Sequence, residues 1–412
     1  MNDLQRQLLL VPFLRQSAEN PKTSLANPAV WLTNLFGRPT ASGQVVNSET
    51  ALALPAVWRA AWLNSSTVAS LPLKVFEKIG DNRINIPDHP VQILLQKKPN
   101  KFQTAYIFRQ LSMMHIMFWG NAYALIIRDP KTMRPVELLP FHPREVEPLF
   151  DKKTNRIWYR FENDNGSTII DAVNVLHMKG ISFDGLRGKS PIASLRENLG
   201  LGLAAQQFGA EFYQKGAQLD GWVEIPGTLN KDGLKNLRDS WEKTHLKGGE
   251  RTAILDKGMK YHMVGIPPED AQFLETRKLS ITDVARIFGV PPPLIYDLER
   301  ATFANVDKLV QGYAKFDLNP WFVNIEQEIN DKLFFEDEKD TTFVKHNLEG
   351  LLRGDPKSRV EFYSRMIQNG LLSPNEARSM ENLESYEEGD RKYILGNYVP
   401  IGDIQVGDIQ NN

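Results

Sequence analysis

The first part of the chain is polar and carries few apolar positions. Residues 1 to about 45 are rich in Asn, Ser, Pro, Gln and Thr, and a single short apolar patch covers 30–36. Such a segment buries too little apolar surface to offset the conformational entropy that folding removes. We therefore expect residues 1–44 to form a flexible N-terminal arm.

Helical and strand-like patterns are mixed between residues 45 and 188. Apolar positions three or four apart predict an amphipathic helix, whose buried side would carry Leu54, Val57, Trp58, Ala61, Trp62 and Ser65. Short alternating runs bounded by Pro, Gly, Asn and Asp predict strands at 73–77, 122–128, 136–139, 156–161 and 173–178. The pattern predicts an α+β region built largely from hairpins.

A long helix is predicted after Gly188. Ser190 can accept a hydrogen bond from a free amide at the helix start, and Pro191 suits the next position because its missing N–H is not needed there. The pattern continues to Gly216, giving a helix of about 25 residues, roughly 38 Å long. Interior glycines cost about 1 kcal/mol each, so a close backbone approach or a bend is expected at Gly200, Gly202 and Gly209.

A second long helix is predicted from Pro268 to Gly289, shortly before three consecutive prolines. The two long helices flank a compact insert. Its pattern predicts a small α/β unit, with strands at 222–225, 253–255 and 260–264 and a helix at 231–246.

The remainder of the chain is predominantly helical. A polar loop at 297–304 leads to a helix from about Asn305 to Leu318, which must end or kink at Pro320. A third long helical stretch then reaches the acidic run at 336–338.

Short helices and a tail complete the pattern. One helix starts at Pro356, and the segment from Ser373 to Glu376 is a capping box that starts another. The polar repeat Gly-Asp-Ile-Gln near the C-terminus predicts a flexible tail over 391–412.

Composition and charge narrow the classes of protein. The 412 residues are 42% hydrophobic, 24% charged and 10% aromatic, which are ordinary values for a globular protein. Because 49 basic and 50 acidic residues give a net charge of −1, any nucleic-acid contact must be local. The absence of cysteine excludes disulfides, thiol catalysis, zinc–cysteine sites and iron–sulfur clusters.

Two apolar stretches resemble targeting or membrane segments. The first, 8–14, is short, contains Pro12 and lacks a small-residue cleavage site, so no signal peptide is expected. The second, 110–127, carries no formal charge. Its period changes from helical to alternating at Gly120, which favours a buried helix followed by a strand over a membrane span.

The sequence carries no recognisable catalytic, cofactor-binding or metal-ligating pattern. Gly188-Lys189-Ser190 ends like a phosphate-binding loop, but Phe183 stands where that loop requires glycine. The glycines around Gly200 lie inside a predicted helix, where they cannot approach a dinucleotide. The seven histidines lack the spacing of a zinc helix. We expect no enzyme activity, cofactor or metal site.

Several short segments follow one another in a distinctive order between residues 45 and 390. They are Leu54-Pro55-Ala56-Val57-Trp58, Ser70-Leu71-Pro72-Leu73-Lys74-Val75, Asp88-His89-Pro90 with Pro99-Asn100, Gly120-Asn121-Ala122-Tyr123, Gly188-Lys189-Ser190-Pro191, Phe288-Gly289-Val290-Pro291-Pro292, and Gly370 with Ser373-Pro374-Asn375-Glu376-Ala377-Arg378. In this order they resemble the portal protein, or head-to-tail connector, of tailed bacteriophages.

The resemblance implies an α+β, multi-domain, ring-forming subunit. It would have a mixed α/β wing, two long stem helices carrying a small α/β clip, a tunnel loop and a helical C-terminal crown. By order along the chain, the wing would cover 45–188 and, with the helix after the tunnel loop, 305–350; the stem helices 189–217 and 268–288; the clip 218–267; the tunnel loop 289–304; and the crown 351–390.

The resemblance also implies a function and partners. Such proteins form a homo-oligomeric ring, usually a dodecamer, at one capsid vertex, through which double-stranded DNA is packaged and later ejected. Implied partners are the large terminase subunit, head-completion or connector proteins, and the major capsid or scaffolding protein. The implied location is the virion, and the host cytoplasm during assembly. The residues alone leave two alternatives, a capsid or tail structural subunit without a DNA channel, and an NTPase or nuclease.

Two groups of side chains are predicted to carry this function. Arg300, Thr302 and Asn305 lie in the tunnel loop, whose mixed charge predicts a sequence-independent guide for DNA instead of a positive collar. The insert helix carries cations on its polar side that would dock the terminase, namely Lys235, Arg238, Lys243 and Lys247. A solvated helical face is the alternative interpretation of these four cations.

Overall fold

The structure is a computed structural model that divides into two compact units, Met1–His346 and Asn347–Asn412. The residues it describes are 38–80, 82–163, 166–214, 221–228, 231–241, 258–263, 273–298, 306–348, 356–381 and 383–394. Helices and antiparallel strands are mixed along the first unit, and the described part of the second unit contains short helices. The predicted mixed α/β fold is confirmed.

A small hairpin opens the described chain. Strand β1 (Arg38–Pro39) pairs with β2 (Val45–Val46), and the hydroxyl of the buried Thr40 donates a hydrogen bond to the carbonyl of Gln44 across the turn. Residues 38–44 therefore differ from the flexible arm that we expected, because Thr40 is anchored in the fold. The rest of the expected arm lies outside the described residues.

Helix α2 (Pro55–Ser70) follows the single-turn helix α1 (Ser48–Ala51) and confirms the predicted amphipathic helix. Its buried face is made mostly of small residues that admit close neighbours, and consists of Val57, Ala60, Ala61, Asn64, Ser65, Val68 and Ala69. The assignment of two tryptophans to that face is wrong, since Trp58 and Trp62 are 57% and 45% exposed. Helices that pack closely along the alanine side leave no room for an indole there.

Two helices and eight strands continue the first unit. The helices are α3 (Pro90–Gln96) and α4 (Ala105–Trp119), and the strands are β3 (Leu73–Ile79), β4 (Asn82–Asn85), β5 (Asn121–Arg128), β6 (Pro135–Phe141), β7 (Val146–Asp151), β8 (Arg156–Asn163), β9 (Gly166–Asp171) and β10 (Val175–Lys179). One antiparallel sheet has the order β10-β5-β6 and another the order β7-β8-β9. All five predicted strands are confirmed, while β4, β7 and β9 carry too few alternating apolar residues for the pattern to reveal them.

The junction between α4 and β5 settles the nature of the uncharged stretch 110–127. Helix α4 ends at Trp119; Gly120 caps it with a φ of +77° in the left-handed region, and β5 begins at Asn121. Glycine reaches this conformation without a steric penalty. The prediction of a buried helix followed by a strand is confirmed. Among the described residues, no helix has the length and apolar character needed to span a membrane.

The long helix predicted after Gly188 is interrupted. Ser190 caps helix α5 (Pro191–Ser194) as predicted, and its Oγ accepts a hydrogen bond from the N–H of Ala193 at 3.2 Å. The helix then breaks at Leu195, before α6 (Arg196–Gln214) begins. A single continuous helix from Ser190 is therefore wrong, and its predicted end at Gly216 lies outside the described residues.

An interior glycine of α6 has the close contact that its position predicted. A Cβ atom on Gly200 would lie 2.5 Å from Oγ1 of Thr40, so the hairpin of β1 and β2 packs directly on the helix backbone. The N–H of Ala41 also donates a hydrogen bond to the Glu197 carboxylate at 2.9 Å. Part of the polar N-terminal region is thus attached to α6.

The insert is described in part. Strand β11 (Gly221–Glu224) pairs antiparallel with β12 (Lys260–Met263), and helix α7 (Lys231–Trp241) lies between them in the chain. Trp222 and His262 stack across this pair with their ring centroids 4.3 Å apart. The first and last predicted strands and the start of the helix are confirmed. The strand predicted at 253–255 lies outside the described residues.

The second long helix is α8 (Phe273–Phe288), whose predicted start at Pro268 lies outside the described residues. After the loop, α9 (Val306–Gly312), a π-helical segment (Tyr313–Leu318) and α10 (Asn319–Leu333) follow one another directly. The helix was expected to end or kink at Pro320; it does not end there, and it is distorted into a π-helical segment directly before the proline. A π turn widens the helix just before the proline, which relieves the clash between its ring and the carbonyl of the preceding turn.

Strand β13 (Thr342–His346) closes the first unit by pairing antiparallel with β3. The resulting sheet has the order β13-β3-β4 and joins segments from opposite ends of the unit. Val344 of β13 is fully buried in the core.

The second unit contains α11 (Pro356–Gln368) and α12 (Pro374–Met380). The predicted capping box is confirmed, because the N–H of Glu376 donates to Ser373 Oγ at 3.1 Å while the N–H of Ser373 donates to the Glu376 carboxylate at 2.7 Å. Asn375 then holds the following segment by accepting from the N–H of Tyr386 and donating to its carbonyl.

Candidate functional site

The loop after α8 starts at a position that only glycine occupies easily. Gly289 has a φ of +60°, and a Cβ atom there would lie 2.8 Å from a carboxylate oxygen of Asp317. The N–H of Val290 donates to the carbonyl of Ala285 at 2.9 Å, which closes the last turn of α8. The chain therefore leaves the helix in a fixed direction.

The described part of this loop is ordered by short-range hydrogen bonds. Residues Pro292–Ile295 form a 3₁₀ turn, and the N–H of Tyr296 donates to the carbonyl of Pro293 at 3.2 Å. Tyr296 adopts a φ of +66°, in the left-handed region that a residue with a side chain rarely enters, and its ring is 75% exposed.

A buried asparagine of α2 contacts both the end of α8 and the π-helical segment that follows α9. The side-chain amide of Asn64 donates to the carbonyl of Phe288 at 2.7 Å, and its oxygen accepts a hydrogen bond from the hydroxyl of Tyr313. Asn64 and Tyr313 are only 2% and 3% exposed. Burial raises the pKa of Tyr313, so its hydroxyl keeps its proton and acts as the donor. The end of α8 and the π-helical segment after α9 therefore share one anchor.

A cation lies beside the same loop. The guanidinium of Arg59 packs over the rings of Trp62 and Tyr296, at 4.7 and 4.9 Å from the two centroids. This cation–π contact joins α2 to the exposed turn of the loop.

The predicted loop residues Arg300, Thr302 and Asn305 lie outside the described residues, which stop at Leu298 and resume at Val306. Their role therefore stays a prediction. The structure describes instead the two ends between which they lie, and the anchor on Asn64 was not predicted from the sequence. The available signal was an asparagine on a helix face made otherwise of small and apolar residues.

The predicted docking cations are described in part. Lys235 and Arg238 are exposed on α7, three positions apart and so on neighbouring positions of one helix face. Lys243 and Lys247 lie outside the described residues. The docking role of all four stays a prediction.

Two of the segments that carry the portal resemblance contact each other. The N–H of Gly188 donates to the side-chain oxygen of Asn121 at 2.7 Å, and the amide of Asn121 donates to the carbonyl of Gly188 at 2.8 Å. A Cβ atom on Gly188 would lie 1.9 Å from the carbonyl oxygen of Gly120. The fragment that resembled a phosphate loop is therefore a packing joint between α4 and the start of α5.

A buried hydrogen-bond chain extends from this joint. His177 Nε2 lies 2.9 Å from the Asn121 oxygen, and its Nδ1 lies 3.0 Å from the hydroxyl of Tyr159. Burial lowers the pKa of His177 well below its ordinary value and raises that of Tyr159. A neutral imidazole that donates from Nε2 and accepts at Nδ1 satisfies every group. This chain connects β5, β8 and β10 and holds the sheets together.

Within the described part of the chain, no cluster of His, Asp or Glu could hold a metal ion. The buried side chains of Asn64 and Asn121 form hydrogen bonds with the backbone and with other buried side chains. These contacts hold helices and strands in position.

Comparison with known proteins identifies the family. Residues 55–382 match the family model described as phage portal protein. The chain belongs to the phage portal protein family. The resemblance found in the sequence is thereby confirmed.

Two portal relatives span most of the chain. It is 32% identical over 387 residues to the probable portal protein of Streptomyces phage phiC31, covering 90% of this chain and 83% of the relative. It is 33% identical over 356 residues to the portal protein of Enterobacteria phage HK97, covering 84% and 82%.

Solved structures agree on the fold. The crystal structure of an HK97-family phage portal protein from Corynebacterium diphtheriae matches with a TM-score of 0.56 at 20% identity, covering 74% of this chain and 96% of that one. A chain from the neck of a native gene transfer agent particle, computed with C12 symmetry, matches with a TM-score of 0.56 at 20% identity, covering 87% and 98%. The portal fold is therefore shared across sequences that have diverged widely.

Proposed function

We propose that copies of this chain form a ring around a channel for double-stranded DNA at one vertex of a phage capsid. The channel would admit the genome during packaging, join head to tail and release the genome at ejection. The observation that carries the proposal is the match of residues 55–382 to the phage portal family. The role is structural, and the chain would act as the conduit while a separate ATPase supplies the work.

The domain assignment follows the order of elements. We assign the wing to 45–188 and 305–350, the stem to 189–217 and 268–288, the clip to 218–267 and the crown to 351–390. Support comes from α6 and α8, which flank the small β11–β12 unit in the chain. The tunnel loop, 289–304, would be the narrowest part of the channel.

The anchored loop supports the assignment of a DNA guide. Because Asn64 holds both the end of α8 and Tyr313, the segments on either side of the loop are fixed to α2, and the loop would have a rigid base. A loop on a rigid base can guide a moving duplex without being dragged along by it. Arg300, Thr302 and Asn305 would then face the DNA and contact it independently of sequence.

Electron microscopy of the purified full-length chain tests the ring. We expect ring-shaped particles with a central hole, and mass measurement would give the number of subunits. Shells, sheets or solid particles would instead support a capsid or tail subunit without a channel. Small globular particles would contradict both the ring and the capsid or tail subunit.

Packaging in a defined in vitro system tests the tunnel loop. Replacing Arg300 and Thr302 together with leucine should leave rings intact and change the packaged length or efficiency. The matched control replaces Arg156 and Thr154, at the turn between β7 and β8, in the same way. Unchanged packaging by the loop variant would contradict its position in the channel.

The insert would receive the terminase, and later the connector proteins. A variant with Lys235, Arg238, Lys243 and Lys247 changed to glutamine should retain rings but lose binding to the large terminase subunit in a pull-down. Glutamine preserves helix propensity, so α7 should persist. Retention of binding would show that these cations form only a solvated face. Contacts with the capsid or scaffolding protein, and assembly in the host cytoplasm, belong to the same proposal.

A further inference from the structure

Three aromatic side chains are exposed at the base of the loop after α8. Trp58 is 57% exposed, Trp62 45% and Tyr296 75%. We name these three residues the aromatic patch. Trp58 and Trp62 lie one turn apart on α2, and Arg59 connects Trp62 to Tyr296 through its two ring contacts.

Two features beside the aromatic patch are energetically unfavourable in an isolated chain. Tyr296 keeps its φ of +66°, and the N–H of Asp297 donates to the carbonyl of Pro292 at 3.1 Å. A residue with a side chain in the left-handed region costs of order 1 kcal/mol and persists where its surroundings fix it. The Nε of Arg59 is buried and has no hydrogen-bond partner. A surface that only faces water gains nothing from the left-handed backbone of Tyr296 or from the unpaired Nε of Arg59.

The exposed area is large enough to form the centre of a protein interface. A large aromatic side chain buries about 150–250 Å² when fully covered. At the observed exposures, the three rings offer roughly 350 Å² together. A stable interface uses about 800 Å² per partner, so the patch would supply nearly half of one side. Trp, Tyr and Arg are also the residues that dominate interface energetics.

The chemistry of the patch selects a protein over DNA. A duplex presents phosphates and stacked base edges, whereas aromatic faces bind bases that are unstacked. Arg59 is itself only half-exposed beside Trp62 and Tyr296, so the exposed surface here is mainly aromatic. The occupant is therefore an apolar protein surface.

We propose that the aromatic patch packs against a neighbouring copy of this chain. The inference rests on the proposed ring and names one of its contact surfaces. A ring uses a head-to-tail interface, in which the patch of each subunit meets a different surface of the next. With nearly half of the area that one side of a stable interface uses, the patch would form the apolar centre of that contact.

Native mass spectrometry of the full chain gives the first test. The double variant Trp58→Gln, Trp62→Gln keeps residues of good helix propensity on α2. We expect its rings to dissociate at protein concentrations at least ten times higher than those of the wild type. Phe102→Gln is the matched control, because Phe102 is 69% exposed and lies outside the patch. Its rings should dissociate at the same protein concentration as those of the wild type.

Thiol labelling gives a second test that does not depend on ring loss. The chain contains no cysteine, so Trp58→Cys introduces a single thiol. A maleimide should label it quickly in the monomer and at least ten times more slowly in the ring. Equal labelling in both states overturns the inference, and so does protection in the monomer, which would mean that the chain covers its own patch. Failure of the wild type to form rings would instead overturn the proposed function, and this inference with it.

Discussion

Single glycines decide how closely the elements of the first unit approach. Gly188→Ala would place a Cβ atom 1.9 Å from the Gly120 carbonyl oxygen, and the two segments would have to separate. The same movement would stretch both hydrogen bonds between Asn121 and Gly188. We expect a loss of unfolding free energy of about 3 kcal/mol, measured by urea denaturation.

Gly312 provides the matched control. It lies at the end of α9, and a Cβ atom there would meet nothing within 4 Å. Gly312→Ala should therefore be neutral or should stabilise the chain by up to about 1 kcal/mol, since alanine favours a helix. Equal destabilisation by both substitutions would show that close approach at Gly188 is not the cause.

A buried histidine makes stability depend on pH. Burial, followed by the nearby His142, lowers the pKa of His115 from 6.5 to about 4. Below pH 6.5 the unfolded chain takes up a proton that the folded chain refuses, so acid reduces stability until the pH reaches about 4. His115→Phe keeps an aromatic ring beside Trp119 but removes this titration. Between pH 7 and 5, the free energy of unfolding should fall by about 2 kcal/mol less in the variant than in the wild type.

Urea denaturation at both pH values measures this difference. Phenylalanine does not titrate, so the comparison of His115→Phe with the wild type isolates one group among several histidines with lowered pKa. The control is Phe102→Leu, at an exposed ring that does not titrate, which should leave the pH dependence unchanged. An identical loss in the His115→Phe variant and the wild type would contradict the assigned pKa.

Residues that act on their own neighbours were predictable from the sequence. The caps at Ser190 and Ser373 and the helix end at Gly289 depend on a few adjacent positions, and all three are confirmed. Asn64 and Asn121 were not predictable, because their partners lie 224 and 67 residues away along the chain. Sequence pattern shows that a residue is polar on an apolar face, but it does not show what the residue will meet.

At the scale of elements, the Asn64 anchor should control the loop that we assign to the channel. Asn64→Leu leaves the Phe288 carbonyl buried without a partner and removes the oxygen to which the Tyr313 hydroxyl donates, which should cost about 2–4 kcal/mol. Tyr313→Phe removes only the hydroxyl and should cost about 1 kcal/mol. Hydrogen exchange should rise at residues 286–298 in both variants, and more in the first.

The control for this anchor is Tyr159→Phe, which removes a buried hydroxyl from the hydrogen-bond chain of the sheets. It should leave exchange at 286–298 unchanged. Equal exchange in that segment for Asn64→Leu and the wild type would show that the loop is held by other contacts.

Elements differed in how well local pattern predicted them. Helix α2 and strand β5 have strong periodicity and were predicted, whereas β13 was not, because it is stabilised by pairing with the distant β3. At Pro320 an end or a kink of the helix was predicted, but the pattern did not show which of the two occurs. Proline usually ends a helix, and only the π-helical segment before it shows how this one continues.

At the scale of the whole molecule, charge balance bears on how DNA would pass. A net charge of −1 per chain gives the ring no general attraction for phosphates, and a strongly basic wall would hold the duplex at each step. The wild-type ring should therefore bind short duplex DNA more weakly than about 10⁻⁴ M at physiological salt, as measured by fluorescence anisotropy. Binding in the nanomolar range would contradict a channel made for sliding.

Reversing one charge at the loop tests where DNA meets the ring. Asp297→Lys raises the net charge of each chain from −1 to +1 beside the predicted tunnel residues. Glu336→Lys makes the same change on an 89% exposed side chain of the acidic turn after α10. If the loop lines the channel, Asp297→Lys should bind DNA more tightly at low salt, steepen the salt dependence and slow packaging, while Glu336→Lys should behave like the wild type because its added charge is remote from the duplex. Equal effects from the two variants would mean that net charge alone acts, and that the loop does not face the DNA.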